Sequence, residues 1–200
     1  LATLGTFILW FGWFGFNGGS QLAMGSAADV AAISNIYINT NLAAAAGVVV
    51  AIVFTMAFYK KTDLTMALNG ALGGLVAITA EPLAPTPMLA IFIGAVGGLI
   101  VVLAIPMLDK LKIDDVVGAV PVHLFAGIWG TIAVVFSNSD ANIGSQLYGI
   151  LAIGAFTVIA SSVVWYAIKL IIGIRVSEEQ ELEGVDVSEV GMEAYPDFRK

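Results

Sequence analysis

Long uncharged segments dominate this chain. Charged residues bound six uncharged intervals, which run over residues 1–28, 30–59, 64–80, 82–108, 116–139 and 141–168. A helix needs about 20 apolar residues to cross roughly 30 Å of bilayer hydrocarbon, and the intervals approach or exceed that length. The sequence lacks the short segments of alternating polar and apolar residues that a transmembrane barrel requires. The pattern therefore predicts an all-α integral membrane protein with six transmembrane helices.

Short polar or turn-forming segments separate the predicted helices. We expect spans near residues 1–24, 29–59, 64–80, 87–108, 117–138 and 145–173. Together they define a transmembrane domain over residues 1–174, which a tail over residues 175–200 follows. Glycines spaced four residues apart indicate close approach of helix backbones in lipid. Such pairs are Gly15 and Gly19, Gly70 and Gly74, and Gly94 and Gly98.

Composition supports a membrane protein and narrows its chemistry. Hydrophobic residues make up 59% of the chain, charged residues make up 12%, and the mean hydropathy is +0.95. These values lie outside the range of soluble domains. With no cysteine and one histidine, the chain has too few ligands for a disulfide framework or a zinc site, so we expect no metal and no cofactor. Eight of the fifteen carboxylates lie between Glu178 and Asp197, which makes the tail acidic.

The basic residues all fall on one side of the predicted helix bundle. They are Lys60, Lys61, Lys110, Lys112, Lys169, Arg175, Arg199 and Lys200. Because basic loops concentrate on the cytoplasmic side, the sequence predicts a multi-pass protein of the cytoplasmic membrane with residue 1 and the tail in the cytoplasm. The chain starts at Leu1 on an apolar stretch, without an initiator methionine or a signal peptide. We therefore expect it to be a fragment.

Five polar side chains fall inside the predicted helices, where such groups are costly and are functional candidates. They are Asn17, Asn39, Asn41, Asn69 and His123. His123 either is satisfied by a neighbouring helix or lines a pore, where it would hydrogen-bond a small polar permeant or relay a proton. Asp114 and Asp115 are placed to cap its helix, and Pro121 fits near that helix start. The asparagines are either interhelical hydrogen-bond partners or ligands.

An aromatic segment occurs in the first predicted helix. Trp13 and Phe16 are spaced i, i+3, and Phe16 and Ser20 are spaced i, i+4, so the three side chains share a helix face. Aromatic residues are also common at membrane interfaces, and that interpretation stays open. Aromatic rings beside a hydroxyl acceptor can hold a small ammonium-type cation by cation–π attraction.

Several motifs occur in a fixed order along the chain. In the membrane part they are Gly12-Trp13-Phe14-Gly15-Phe16-Asn17-Gly18-Gly19-Ser20, Asn39-Thr40-Asn41, Leu68-Asn69-Gly70-Ala71-Leu72-Gly73-Gly74-Leu75-Val76, and Asp114-Asp115 followed by Val120-Pro121-Val122-His123. In the tail they are Arg175-Val176, Glu178, Glu179, Glu181, Gly184-Val185-Asp186, Gly191 and Ala194-Tyr195. In combination and order, these motifs resemble the ammonium transporter (Amt/Mep/Rh) family.

The resemblance implies a particular fold and particular site residues. The family has eleven spans, ten of them in two inverted five-helix halves around a midplane pore, and this chain corresponds to spans six to eleven. Phe16 would be one of two stacked gating phenylalanines, Ser20 part of the outer ammonium site, Trp13 a pore-wall residue, and His123 one of two paired pore histidines. Asn69 is a further candidate. The second phenylalanine and the partner histidine belong to the family's first half, so we expect these 200 residues alone to form no complete pore.

The function implied by the resemblance is ammonium transport for nitrogen uptake. The cation would bind at an outer aromatic site, lose a proton, and pass as ammonia through an apolar pore lined by histidine. The resemblance also implies a homotrimer, and a cytoplasmic tail that contacts neighbouring subunits and a PII-type signalling protein. Val190 stands where the family usually has a histidine. Alternatively, the tail is a solvated acidic segment.

Other functions are weighed against transport. A membrane sensor on the same scaffold would couple ammonium occupancy to a signalling output. An ion-coupled carrier for another substrate is disfavoured, because no carboxylate lies in the interior of a predicted span. A membrane enzyme is disfavoured further, because the sequence has no nucleophile–base pair or metal cluster.

Overall fold

The structure of the chain is a computed structural model that describes residues 1–193 and 196. The tail motif residues Ala194 and Tyr195, and the basic residues Arg199 and Lys200, lie outside the described residues. By its internal contacts the chain forms two units, Leu1–Ile150 and Leu151–Lys200.

Every regular element in the described part of the chain is a helix. The α-helices are α1 (Ala2–Gly19), α2 (Ala27–Tyr59), α3 (Leu64–Thr79), α4 (Pro87–Lys110), α5 (Ala126–Ala133), α6 (Ile143–Ile171) and α7 (Glu178–Glu183). A π-helix (Val120–Phe125) leads into α5, a 3₁₀ turn (Val134–Phe136) follows α5, and a second π-helix covers Asp186–Val190. The predicted all-α class is confirmed.

Side-chain caps fix the starts of the central helices. At α2, Ser26 Oγ accepts a hydrogen bond from the Asp29 amide, and the Asp29 carboxylate accepts one from the Ser26 amide. At α3, Asp63 Oδ1 accepts from the Met66 amide. These bonds satisfy amides that have no intrahelical partner. The polar residues that separate the uncharged intervals therefore also cap the start of the helix that follows them.

Glycines bring α2, α3 and α4 into backbone contact. A Cβ on Gly94 would overlap the Ala43 carbonyl oxygen, and a Cβ on Gly74 would meet the same carbonyl. The Gly70–Gly74 and Gly94–Gly98 pairs thus pack closely, as expected for helices in lipid. At Gly15 and Gly19, a built Cβ meets no described atom within 4 Å beyond the adjoining part of its own helix, so close packing at this pair stays a prediction.

The packed core continues from these helices to α5. It is a cluster of small and branched apolar side chains, formed by Ala43, Ala77, Ile78, Ala90, Ile93 and Ala133. Trp129 packs against it and donates a hydrogen bond of 3.0 Å from its indole nitrogen to the Ile93 carbonyl. This partly buried indole thereby keeps a partner for its polar atom.

Among the described residues, three helices are long and apolar enough to cross a membrane by length and composition alone, namely α2, α4 and α6. The stretches Leu64–Thr79 and Val120–Phe136 are apolar but shorter, and α1 has 18 residues. All six predicted regions contain a helical stretch, and the membrane boundaries of each stay a prediction. α1 ends at Gly19, five residues before the end of the first predicted span, and the Leu22 backbone turns left-handed (φ 60°).

The second unit contains most of α6 and the described part of the tail. Ser177 and Gln180 form a capping box at the start of α7. Arg175 Nη2 forms a two-fold contact with the Glu181 carboxylate, at 2.6 and 2.8 Å. Both side chains are exposed, so this ion pair orders the tail locally at a modest energetic gain.

Candidate functional site

The predicted aromatic residues meet at the end of α1. The rings of Trp13 and Phe16 pack edge to face, with centroids 6.1 Å apart and planes at 67°. Phe16 is 62% exposed, whereas Trp13 is half-buried. This arrangement leaves most of the Phe16 ring exposed, so that a further group can pack against it.

Ser20 lies directly beside Phe16. It follows the last residue of α1 with helical dihedral angles (φ −67°, ψ −9°), so the predicted i, i+4 relation to Phe16 holds. The Ser20 hydroxyl donates a hydrogen bond of 2.9 Å to the Phe16 carbonyl oxygen. Because its hydrogen is used in that bond, the lone pairs of this oxygen can accept a bond from a cation. The structure therefore brings together three of the predicted site residues.

Thr79, which the sequence reasoning missed, holds Trp13. The indole Nε1–H of Trp13 donates a hydrogen bond of 2.7 Å to Thr79 Oγ1, and Thr79 in turn donates to the Leu75 carbonyl at 2.7 Å. Thr79 is the last residue of α3, 66 positions along the chain from Trp13. A tryptophan inside an apolar helix requires a partner for its N–H, and that requirement is the signal that could have led to a search for Thr79.

His123 lies on the π-helix Val120–Phe125. Pro121 and Val122 are buried, whereas His123 and Leu124 are exposed. Among the described residues, no hydrogen bond or ring contact joins His123 to Trp13 or Phe16. The π-helix packs against α3, the helix that supplies Thr79 to the aromatic group. Asp115 accepts hydrogen bonds at the start of this helix, as predicted, while Asp114 is exposed and makes none to a described residue.

The candidate asparagines differ in their surroundings. Asn17 Nδ2 donates to Thr40 Oγ1 at 3.0 Å, which joins α1 to α2. Asn39 Nδ2 donates to the carbonyl oxygens of Pro82 and Pro85, at 3.0 and 2.8 Å. The Asn17 bond fits the interhelical interpretation, whereas the Asn39 bonds join α2 to the connection between α3 and α4. Asn69 is buried on α3, and Asn41 is exposed.

The described residues provide no group of three or more His, Cys, Asp or Glu side chains placed to hold a metal ion. The predicted site residues Trp13, Phe16, Ser20 and His123 offer aromatic rings, one hydroxyl and one imidazole. These groups can bind a small cation and can donate, accept or move a proton.

Comparison with known proteins gives one consistent family. The model described as "Ammonium Transporter Family" matches residues 1–195. The ammonium transporter Amt2 of Archaeoglobus fulgidus is 41% identical to this chain, over 98% of the chain and 46% of that protein.

Solved structures give the same result. A structure titled "Sensor Amt Protein" superimposes with a TM-score of 0.86 at 36% identity, covering 94% of this chain and 48% of that one. The Mep2 protein of Saccharomyces cerevisiae superimposes with a TM-score of 0.76 at 29% identity, covering 88% and 43%. The chain thus spans about half the length of the relatives it matches.

Proposed function

Because this chain belongs to the ammonium transporter family, a family of multi-pass membrane transporters and not of enzymes, we propose that the protein moves ammonium across the cytoplasmic membrane. The cation binds at an outer site formed by Trp13, Phe16 and Ser20. It then loses a proton, and ammonia passes through an apolar pore beside His123.

The observation that carries this proposal is the contact between Phe16 and its two neighbours. The Phe16 ring stands on edge against Trp13 and exposes most of its surface. The Ser20 hydroxyl donates to the Phe16 carbonyl oxygen, and its lone pairs can accept a hydrogen bond from a bound cation. An aromatic surface with an adjacent acceptor attracts a small cation that carries N–H donors. The site is thus suited to ammonium.

Desolvation explains why the permeating species is neutral. An isolated ammonium ion in an apolar pore loses its hydration at a cost of several kcal/mol, whereas ammonia carries no charge. His123 is the one histidine of the chain and presents an exposed imidazole on the π-helix. An imidazole can hydrogen-bond ammonia or carry the released proton. We assign it the pore-lining role for that reason.

The charge distribution supports an outer cation site. Along the chain, Asp29, Glu81 and Asp140 fall at or beside the connections that alternate with the Lys-bearing ones. If the basic ends face the cytoplasm, the outer ends of the described chain carry carboxylates and no Lys or Arg. Such an arrangement raises the local concentration of cations and speeds their association. The outer face therefore favours ammonium over anions.

Methylammonium uptake by the full-length protein in proteoliposomes tests the proposal. Phe16→Ala and His123→Ala should each lower uptake, because one removes the outer aromatic surface and the other the imidazole. Phe11→Ala is a matched control, since Phe11 is an exposed phenylalanine of the same helix that is off the Trp13–Phe16–Ser20 face. Wild-type uptake in both test variants would refute the site assignment.

The proposal also covers the oligomeric state of the protein and the role of its tail. We assign the protein a homotrimeric state and place the tail in the cytoplasm as the contact with neighbouring subunits and a PII-type signalling protein. The Arg175–Glu181 ion pair and the Ser177 capping box support a tail with defined local structure. Native mass spectrometry tests the trimer, and loss of PII binding after deletion of residues 175–200 tests the tail.

A sensor is the second candidate function, because one solved structure that this chain resembles is titled as a sensor. A sensor binds ammonium at the same aromatic site and passes the signal to a cytoplasmic output. A transporter moves ammonium across the membrane, whereas a sensor only has to bind it. Ammonium binding to the full-length protein without flux above that of protein-free liposomes would favour the sensor, and flux would favour the transporter.

A further inference from the structure

A loop of four residues, Asp115 to Gly118, leads into the π-helix that carries His123. The half-buried Asp115 side chain points forward along the chain, toward the start of this helix. Its Oδ1 accepts a hydrogen bond from the Ala119 amide and its Oδ2 accepts one from the Val120 amide, both at 2.8 Å. A single carboxylate thus holds two successive backbone donors, one with each oxygen.

These two bonds complete the hydrogen bonding of the helix start. Amides in the first turn of a helix have no intrahelical partner. Pro121 has no amide hydrogen, and the Val122 amide donates to the Gly118 carbonyl at 3.2 Å. Only the amides of Ala119 and Val120 then need an outside partner, and Asp115 supplies both. Without the carboxylate, the turn immediately before His123 would lose its fixed geometry.

Packing around Gly118 fixes the path of the loop. Gly118 is buried and has a φ of +78°, a backbone conformation that side-chain-bearing residues rarely adopt. A Cβ built there would lie 3.1 Å from Asn69 Nδ2 and 3.1 Å from Ile105 Cδ1. The loop is thus confined between α3 and α4, and this contact gives buried Asn69 a place in the support of the π-helix.

The π-turn decides which side chains face outward. The Ala126 amide donates to the Pro121 carbonyl, five residues earlier, and this wider turn buries Pro121 and Val122 while His123 stays exposed. The His123 imidazole makes no hydrogen bond to a described residue. Within the described residues the place of the imidazole follows from its backbone, and that backbone begins at the Asp115 cap.

We infer that Asp115 is a positioning residue for His123: its carboxylate fixes the start of the π-helix and thereby the place of the imidazole in the transport pathway. This inference rests on the proposed function, since it assigns Asp115 a role in transport through His123. It excludes the adjacent Asp114, which is exposed and makes no hydrogen bond to a described residue.

A double-mutant cycle in the full-length protein tests the inference, with methylammonium uptake in proteoliposomes as the readout. Asp115→Ala should lower the maximal rate roughly ten- to a hundredfold, since displacement of a positioned group by about 1 Å costs up to about 10²-fold. In the His123→Ala background the same change should cost less than about twofold, because residues that act through one another are not additive. Asp114→Ala is the matched control and should keep the wild-type rate.

A conservative variant separates positioning from loss of folded protein. Asp115→Asn keeps the size of the side chain and one acceptor oxygen, so its rate should lie between those of wild type and Asp115→Ala at an equal yield of folded protein. If Asp115→Ala does not accumulate as folded protein in the membrane, the Asp115→Asn variant is used in its place in the double-mutant cycle. Equal rates for Asp115→Asn and wild type, or full additivity with His123→Ala, would overturn the inference. Wild-type uptake in His123→Ala would instead overturn the pore-lining role that the proposed function gives to His123.

Discussion

The indole N–H of Trp13 donates a 2.7 Å hydrogen bond to Thr79 Oγ1, and this bond joins the aromatic end of α1 to the end of α3. Trp13 in turn is the ring against which Phe16 packs. Because Thr79 is itself bound to the Leu75 carbonyl, its oxygen is fixed in place. The position of the Phe16 ring therefore depends on Thr79, which lies far from it in the sequence.

Removing the Thr79 hydroxyl should weaken ammonium binding. Thr79→Val keeps the shape of the side chain and leaves the Trp13 indole without its acceptor. The half-saturating methylammonium concentration should rise roughly three- to tenfold, since a hydrogen bond contributes about 0.5–1.5 kcal/mol net. Thr79→Ser should restore it. Thr131→Val is the control, because the Thr131 hydroxyl bonds only to the Gly127 carbonyl of its own helix, and a similar rise there would remove the special role of Thr79.

Asn17 and Thr40 should be energetically coupled. They are 1% and 0% exposed and share a 3.0 Å hydrogen bond between α1 and α2. In unfolding by SDS in mixed micelles, the cycle of Asn17→Ala and Thr40→Val should give a coupling of about 0.5–1.5 kcal/mol. Thr55→Val is the control, because Thr55 is buried on α2 and bonds only to carbonyls of its own helix. Additive effects for Asn17 and Thr40 would contradict the interhelical bond.

Gly94 should not tolerate a side chain. Its Cβ would overlap the Ala43 carbonyl, so Gly94→Ala forces α4 away from α2. The free energy of unfolding should fall by about 1–3 kcal/mol, the usual cost of overpacking. In Gly154→Ala, the new carbon meets no described atom within 4 Å beyond the adjoining part of α6, so this change should be neutral or slightly stabilising. Equal tolerance of both changes would argue against backbone contact between α2 and α4.

The orientation of the chain can be read with single cysteines, because these 200 residues contain none. Asp140→Cys lies on the predicted outer side and Lys112→Cys on the predicted cytoplasmic side. In intact cells that express the full-length protein, with any cysteines elsewhere in it replaced, a membrane-impermeant maleimide should label Asp140→Cys and spare Lys112→Cys until the cells are opened. The reverse labelling would invert the topology that the basic residues predict.

Much of the fold could be predicted because charges are expensive in lipid. Lys60 to Asp63 and Glu81 to Thr86 had to lie between helices, and helix starts follow each of them at Leu64 and Pro87. The expected cap at the His123 helix is also present, made by Asp115 and not by Asp114. In these cases, residue type and local spacing decide the structure.

Features that depend on distant partners could not be predicted. Nothing near Thr79 in the sequence indicates that it bonds Trp13, and nothing near Asn39 indicates that it bonds the carbonyls of Pro82 and Pro85. Glycine spacing was equally insufficient, since Gly15 and Gly19 have the same interval as Gly94 and Gly98 but, among the described residues, no neighbouring helix within 4 Å of a built Cβ. Such contacts depend on how helices pack, which one-dimensional spacing does not determine.

The concentration dependence of methylammonium uptake by the full-length protein in proteoliposomes tests the central claim most directly, because it separates binding from passage. The account predicts that Phe16→Ala raises the half-saturating concentration and that His123→Ala lowers the maximal rate with little change in that concentration. Uptake by the wild-type protein no faster than in protein-free liposomes, or unchanged kinetics in both variants, would contradict it.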